Sequence, residues 1–356
     1  MKVRKQGLIV DSDSKIISQT TMEALMPFSR RLKGEKKSPW HEEAKTIYRV
    51  FVVFIQPNGR PSAAYKRGTA VHIGGGLFLT AAHVLQFPTD DRHRAEFRRF
   101  KPQIFLRGGS GVLDFPEGRK SSGFSAKVFA YPTQIESAVI AQNTTSRPLL
   151  AGTVNFPREV DFAILKAQEP RWLAKFRHAL NRRPHATPAS DIGLPGQIPI
   201  NLLTIHTILE ADSPDAIKGY NYNVNTVQDV EEASYLLLPG TISISSATAT
   251  RDRWGTQAAV GERASGLRYR LSCTPGTSGG GLFSDDKKLL GIHFLGEVDE
   301  GSGNTITRSD ANCGVAVAFS SPHFRDLVRD SIVPEFERLK LTDLVKNWGP
   351  LGEKDN

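Results

Sequence analysis

A chain of 356 residues with 39% hydrophobic and 23% charged side chains can bury a sizeable core, which excludes the disordered and fibrous classes. Its 46 lysines and arginines outnumber 37 aspartates and glutamates, a formal charge of +9, and no stretch reaches the about 18 consecutive apolar residues of a membrane-spanning helix. Two cysteines are too few for a disulfide framework and fit a reducing compartment.

In chain order, residues 1–45 read as a polar N-terminal extension, with Lys36-Lys-Ser-Pro39 as a linker. The opening Met1-Lys-Val-Arg-Lys-Gln-Gly-Leu-Ile-Val10 is basic but lacks the apolar run of a secretory signal, so a cytoplasmic protein is expected. Strand patterns follow in Tyr48-Arg-Val-Phe-Val-Val-Phe-Ile55 and Gly68-Thr-Ala-Val-His-Ile73. Gly74-Gly-Gly76 then turns the chain into Leu77-Phe-Leu-Thr-Ala-Ala-His-Val84. Further strands are expected at Gln103-Ile-Phe-Leu106, at Ala126-Lys-Val-Phe-Ala130 and at Val160-Asp-Phe-Ala-Ile-Leu-Lys166, and an amphipathic helix within 170–183.

The second half offers strands at 201–208, 234–238 and 267–272, then Leu289-Leu-Gly-Ile-His-Phe-Leu-Gly296 and Cys313-Gly-Val-Ala-Val-Ala-Phe319. From Pro322 the apolar residues fall at helical spacing, and helix is expected to resume toward Trp348.

Chemistry concentrates in Thr274-Pro-Gly-Thr-Ser-Gly-Gly-Gly-Leu282. Glycines on both sides of Ser278 let backbone N–H groups converge on a small space, the requirement of an oxyanion hole. A serine hydroxyl needs a histidine base and a carboxylate to orient that base, and His83 and Asp161 each stand at the end of an apolar strand pattern. No His/Cys metal-ligand spacing occurs and serine acyl transfer needs no cofactor, so none is expected.

Thr80-Ala-Ala-His83, Asp161-Phe-Ala-Ile-Leu165 and Gly276-Thr-Ser-Gly-Gly280, in the order His, Asp, Ser, resemble the chymotrypsin-fold (trypsin-like) serine peptidases. The resemblance spans about 46–320 and implies an all-β fold of two antiparallel six-stranded barrels. The expected organisation is the extension 1–45, a first barrel with an insertion at 46–185, a second barrel at 186–320 and a helical tail at 321–356. The stretch from His83 to Asp161 is longer than the family's common form, which places an insertion within 87–152.

The resemblance implies a serine endopeptidase acting on protein or peptide substrates, with His83, Asp161 and Ser278 catalytic and the N–H groups of Gly276 and Ser278 as the oxyanion hole. The Gly-Ile-His-x-x-Gly pattern of 291–296 is similar to the pocket strand of V8-type glutamyl endopeptidases and viral 3C-type proteases. It implies that His293 contacts Glu or Gln on the acyl side of the cut bond, with Ser272, Cys273 and Gly296 beside it. Two positions depart from the relatives: Cys273 stands where they carry an assisting threonine, and Thr277 precedes the nucleophile where the trypsin branch has an activating Asp. A packed, ligand-free His293 is the competing reading of that strand.

Basic clusters at 30–37, 92–101 and 171–183, the last two interleaved with aromatics, leave open a nucleic-acid or acidic partner, although solvated surface is the ordinary role of such runs. Two other functions stay in play: a latent barrel scaffold that binds through those clusters, and an esterase or other acyl transferase with the same machinery.

Overall fold

Runs of β-branched and aromatic residues from residue 47 onward pair into two closed antiparallel barrels. A computed structural model describes residues 7–8, 39–55, 61–86, 101–108, 124–136, 149–150, 157–168, 183–189, 196–206, 209–210, 241–252, 265–269, 276–297 and 313–353. Strand β1 (Gly7–Leu8) precedes a single turn of helix, α1 (His41–Ala44). The first barrel comprises β2 (Ile47–Ile55), β3 (Pro61–Gly74), β4 (Leu77–Thr80), β5 (Lys101–Gly108), β6 (Phe124–Ala130) and β7 (Ala163–Ala167), with a short helix α2 (Thr133–Glu136) after β6. The second comprises β8 (Gly196–His206), β10 (Thr241–Asp252), β11 (Gly266–Tyr269), β12 (Gly281–Phe283), β13 (Leu289–Glu297) and β14 (Cys313–Ala318). Between β8 and β10, β9 (Leu209–Glu210) pairs with β1.

Both barrels have one topology. The first closes in the order β2-β3-β4-β7-β6-β5 and the second in the order β8-β10-β11-β14-β13-β12, so the third strand of each pairs with the sixth. No sequence repeat betrays this, because a barrel constrains which positions face inward and leaves side-chain identity open. Strand β4 is buried on both faces, Leu77, Phe78, Leu79 and Thr80 alike, while on β7 only Lys166 escapes burial.

Two strands have no counterpart among the expected elements, although β10 opens with Ile242 and Ile244 alternating with serines. In β10 exposed Ser246, Thr248 and Thr250 alternate with half-buried Ala247 and buried Ala249, a period of two written in small residues. Strand β12 is a three-residue continuation of the glycine run. The strand expected at 234–238 and nearly all of the helix expected within 170–183 lie outside the described residues, as do most of the insertion within 87–152 and nearly all of the three basic clusters.

The tail runs as α3 (Pro322–Leu327), a π-helical stretch (Val328–Ile332), α4 (Val333–Arg338) and α5 (Thr342–Gly352). Pro334 has no N–H for the preceding carbonyls, and the wide π turn before it absorbs that loss without ending the helix. Phe324 stacks on Phe319 at 4.0 Å and meets the edge of Phe162 at 5.3 Å, joining the tail to the second barrel's last strand and to the segment entering β7. Glu335 accepts from Lys166 of β7 at 2.6 Å and from both nitrogens of the Arg338 fork at 2.7 Å. Gly74, at the end of β3, and Gly75, in the turn to β4, have φ of +104° and +60°, and side chains there would run into Leu344, Phe336 and Leu341 of the tail. Glycine is thus required at this turn both by conformation and by the tail lying on it.

Candidate active site

Antiparallel pairing of β4 with β7 sets Thr80 opposite Ala163, so the residues leaving β4 and entering β7 emerge side by side. Beyond Thr80 the chain takes one 3₁₀ turn, Ala82–Leu85, which carries His83. Before Ala163 another, Arg158–Val160, ends on Asp161. Asp161 is therefore a cap residue at the mouth of the strand rather than a member of it. Its Oδ1 accepts the backbone N–H of His83 at 2.9 Å and its Oδ2 meets Nδ1 at 2.8 Å. The carboxylate is buried, while a third of the imidazole is exposed (33%). With Nδ1–H donated to the carboxylate, the lone pair resides on Nε2, the tautomer a general base needs.

Ser278 lies in the turn before β12, half-buried, where Gly280 N–H closes on Thr277 O at 2.9 Å. Gly279 adopts φ +91°, and a Cβ there would collide with the Thr69 carbonyl and stand 2.6 Å from Thr80 Oγ1. The turn is clamped from two sides, by β13 and by β3. Gly279 N–H donates to His293 O at 2.6 Å, His293 N–H to Gly280 O at 2.8 Å, and Thr69 N–H of the first barrel to Ser278 O at 2.7 Å. Gly68 sits where Ser278 and the His83 turn come together: a Cβ at Gly68 would lie 3.0 Å from Ser278 O and 2.6 Å from Val84 Cγ2. Ser278 Oγ donates to Phe294 O at 3.2 Å, the long end of hydroxyl hydrogen bonds. Among the described residues, neither Gly276 N–H nor Ser278 N–H has an acceptor.

His293 is on β13, its backbone bonded to Gly279 and Gly280 just after Ser278, and it is only 1% exposed. Tyr269 Oη on β11 contacts its Nδ1 at 2.6 Å and Thr277 Oγ1 its Nε2 at 3.2 Å. If the phenol donates to Nδ1, the proton resides on Nε2, held at the residue directly before Ser278. Gly296 pairs with Gly314 farther along β13, and Ser272 and Cys273 lie outside the described residues. Sequence reasoning missed Tyr269, Thr69 and Thr204, none of which belongs to a motif; their role is visible only once the strands are paired.

Between the barrels, the segment 183–189 contacts both. Ala186 N–H donates to His72 O of β3, and Ala189 N–H donates to Leu289 O of β13. His72 is fully buried; its Nδ1 meets Pro184 O at 2.8 Å, while its Nε2 is buried without a partner. Burial, reinforced by nearby His185 and Arg183, lowers its pKa to about 3.

The sequence matches the trypsin-like peptidase domain family over residues 68–292. No curated protein shows significant sequence similarity to the chain. Among solved structures, the active form of the Rv3671c protease from M. tuberculosis is similar at 15% identity and a TM-score of 0.39, over 78% of each chain. The thermostable serine protease AL20 from an extremophilic microorganism matches at 13% identity and a TM-score of 0.42, over 78% of this chain and 92% of that one. The protease Anisep from Arthrobacter nicotinovorans matches at 14% identity and a TM-score of 0.41, over 77% and 90%.

Proposed function

Because the chain belongs to the trypsin-like peptidase family, we propose that it is a serine endopeptidase with Ser278 as nucleophile, His83 as general base and Asp161 as the residue that orients the base. The observation that carries this reading is the two-point hold of Asp161 on His83, at 2.9 Å and 2.8 Å, beside a half-buried serine in a glycine-bounded turn. The hold fixes both the ring's tautomer and its direction, which a structural histidine does not require.

In the reaction, Ser278 turns about χ1 from the Phe294 carbonyl toward His83 and attacks the substrate carbonyl. The Oγ–C bond forms as the hydroxyl proton passes to Nε2, and Asp161 balances the imidazolium. The oxyanion is received by Gly276 and Ser278 N–H. Collapse breaks the C–N bond, and His83 gives its proton to the leaving amine. His83 then takes a proton from water as the water oxygen attacks the acyl-enzyme ester, and returns that proton to Ser278 Oγ as the ester C–Oγ bond breaks.

For the acyl-side residue we propose Glu or Gln, recognised by His293. Tyr269 holds the imidazole with its Nε2 toward Thr277, the residue preceding the nucleophile, so a substrate carboxylate or amide oxygen that displaces the Thr277 hydroxyl gains an N–H donor. An apolar side chain that displaced the Thr277 hydroxyl would leave the donor unpaired.

A peptide library varied at the acyl-side residue, digested by wild type, Ser278→Ala and His293→Ala, tests both levels. Cleavage after Glu or Gln is expected, lost in Ser278→Ala and altered in preference in His293→Ala. Cutting after other residues would remove His293 from the pocket while leaving the nucleophile assignment intact. Hydrolysis of model esters without any peptide cleavage would move the chain to another acyl-transfer class.

A further inference from the structure

Behind the nucleophile turn stand two hydroxyls that no catalytic motif contains. Gly276 O accepts from Thr69 Oγ1 at 2.8 Å and Thr277 O from Thr204 Oγ1 at 3.1 Å. Thr69 belongs to β3 of the first barrel and Thr204 to β8 of the second; both are buried, and their hydroxyl oxygens are 3.1 Å apart. Thr69 also gives its N–H to Ser278 O at 2.7 Å and takes the Thr80 hydroxyl on its own carbonyl at 2.7 Å. Thr80 is three residues before His83, so one threonine connects the strand that delivers the base with the turn that delivers the nucleophile.

Within a planar peptide unit, C=O and N–H point in opposite directions. The Thr277 carbonyl shares its plane with Ser278 N–H, so holding that carbonyl inward, on Thr204 and on Gly280 N–H at 2.9 Å, turns Ser278 N–H outward. The Gly276 carbonyl, held by Thr69, shares its plane with Thr277 N–H, so Thr69 anchors the peptide unit that links the Gly276 and Ser278 N–H groups, and from it Gly276 N–H is set by a φ of +98°. Glycine has little intrinsic preference among such conformations. An external contact has to choose one, and among the described residues that contact on the Gly276 carbonyl is the Thr69 hydroxyl. Each hydroxyl has a single proton. Since Thr277 O already has Gly280 N–H, the Thr69 proton goes to Gly276 O and the Thr204 proton is shared between Thr277 O and Thr69 Oγ1.

We propose that Thr69, backed by Thr204, is a positioning residue for oxyanion capture: its hydroxyl anchors the Gly276–Thr277 peptide plane, which links the Gly276 and Ser278 N–H groups offered to the carbonyl oxygen under attack. The proposal rests on the endopeptidase reading. Thr69 touches no reacting atom and acts through the turn.

The test compares full-length wild type, Thr69→Val, Thr69→Ser, Thr204→Val and Ser278→Ala. Readouts are steady-state kinetics on a cleaved peptide, melting temperature, and affinity for a peptidyl aldehyde, whose adduct with the serine places an oxygen in the oxyanion position. Thr69→Val keeps the branched shape and removes the donor. It is expected to lower kcat by about 10- to 100-fold with KM within about twofold, since mispositioned donors cost up to about what a missing one does. Aldehyde affinity should fall in parallel, and Thr69→Ser should recover most of both. Thr204→Val, whose target carbonyl keeps Gly280 N–H, should lower kcat only several-fold; if Thr69→Val does not fold, an unchanged kcat together with an aldehyde affinity equal to wild type in Thr204→Val overturns the proposal. So does a Thr69→Val enzyme with wild-type kcat per active site and merely a lower melting temperature. Should wild type neither cleave nor bind the aldehyde, the endopeptidase reading falls and this proposal with it; a cleaving wild type matched by Thr69→Val removes the proposal alone.

Discussion

His72 is a pH-dependent weak point in the contact between the barrels. Its ring is enclosed by Phe78 at 4.8 Å, Tyr48 at 6.1 Å and His185 at 6.4 Å, and burial together with His185 and Arg183 nearby opposes a positive charge on it. Protonation would put an N–H at Nε2, which has no acceptor. Because the folded pKa is depressed to about 3 from 6.5, the stability tied to neutral His72 is complete above the unfolded value and is lost as pH falls from 6.5 toward 3. At pH 5 the loss is about 2 kcal/mol, from about 1.4 kcal/mol per unit of pKa difference traversed. Urea unfolding near pH 7.5 and pH 5 measures it when wild type is set against His72→Asn, which keeps a side-chain N–H for Pro184 O but does not titrate. The variant should be less stable at both values, because of the cavity, yet its stability should drop by about 2 kcal/mol less between them. An equal pH dependence in both proteins, or an imidazole resonance of His72 titrating near 6.5 in the native state, would refute the reasoning.

Asp161→Asn leaves the His83 backbone contact available but favours the wrong imidazole tautomer, so kcat should fall by about 10⁴ with little change in melting temperature, read by peptide kinetics and calorimetry. Gly279→Ala combines an unfavourable φ of +91° with a clash against the Thr69 carbonyl. It should lower the melting temperature and abolish labelling by a fluorophosphonate, whereas labelling at the wild-type rate would mean that the turn tolerates a shift. Burial alone would raise the Glu335 carboxyl, but the hydrogen bonds and charges of Arg338 and Lys166 outweigh it and hold the pKa below 4.5. The stability from this group is present above about pH 4.5 and lost as pH falls through the folded value, so the stability gap between wild type and Glu335→Gln at neutral pH should close below it, as followed by melting temperature.

The parts legible in the sequence are those whose chemistry is local. His83 and Asp161 each stand at the end of an apolar run because a strand must deliver them to the barrel's mouth, and Ser278 sits among glycines because the turn's backbone must pass close to Thr69. Strands such as β4 and β7 could be read because burial on both faces leaves an unbroken apolar run. Strand β10 is harder to read, since Ile242 and Ile244 alternate with serines only at its start and the alternation then continues in Ser, Thr and Ala. Asp161 stands at the lip of its strand, as its place before the apolar run implies, but the turn dihedrals that let its carboxylate face both N–H and Nδ1 of His83 are not specified by residue type alone.

Support for the site is of a different kind. Thr69 and Gly276 are separated by 207 residues, Lys166 and Glu335 by 169, and neither partner of either pair has a side chain unusual for its own segment. A buried hydroxyl that reaches a carbonyl, or an aromatic ring such as Phe324 filling the space behind Phe162, is one of several solutions to the same packing problem. Nothing in the chemistry of the reaction requires that residue at that place in the chain, so no motif can record it. The constraint is geometric: the turn's carbonyls need donors because its glycines do not choose a conformation for themselves. Once the barrels are closed, β3 and β8 are the strands that supply them. The residues that determine whether the turn is competent are therefore found by asking which atoms hold its peptide planes, a question that becomes answerable only at the level of strand pairing.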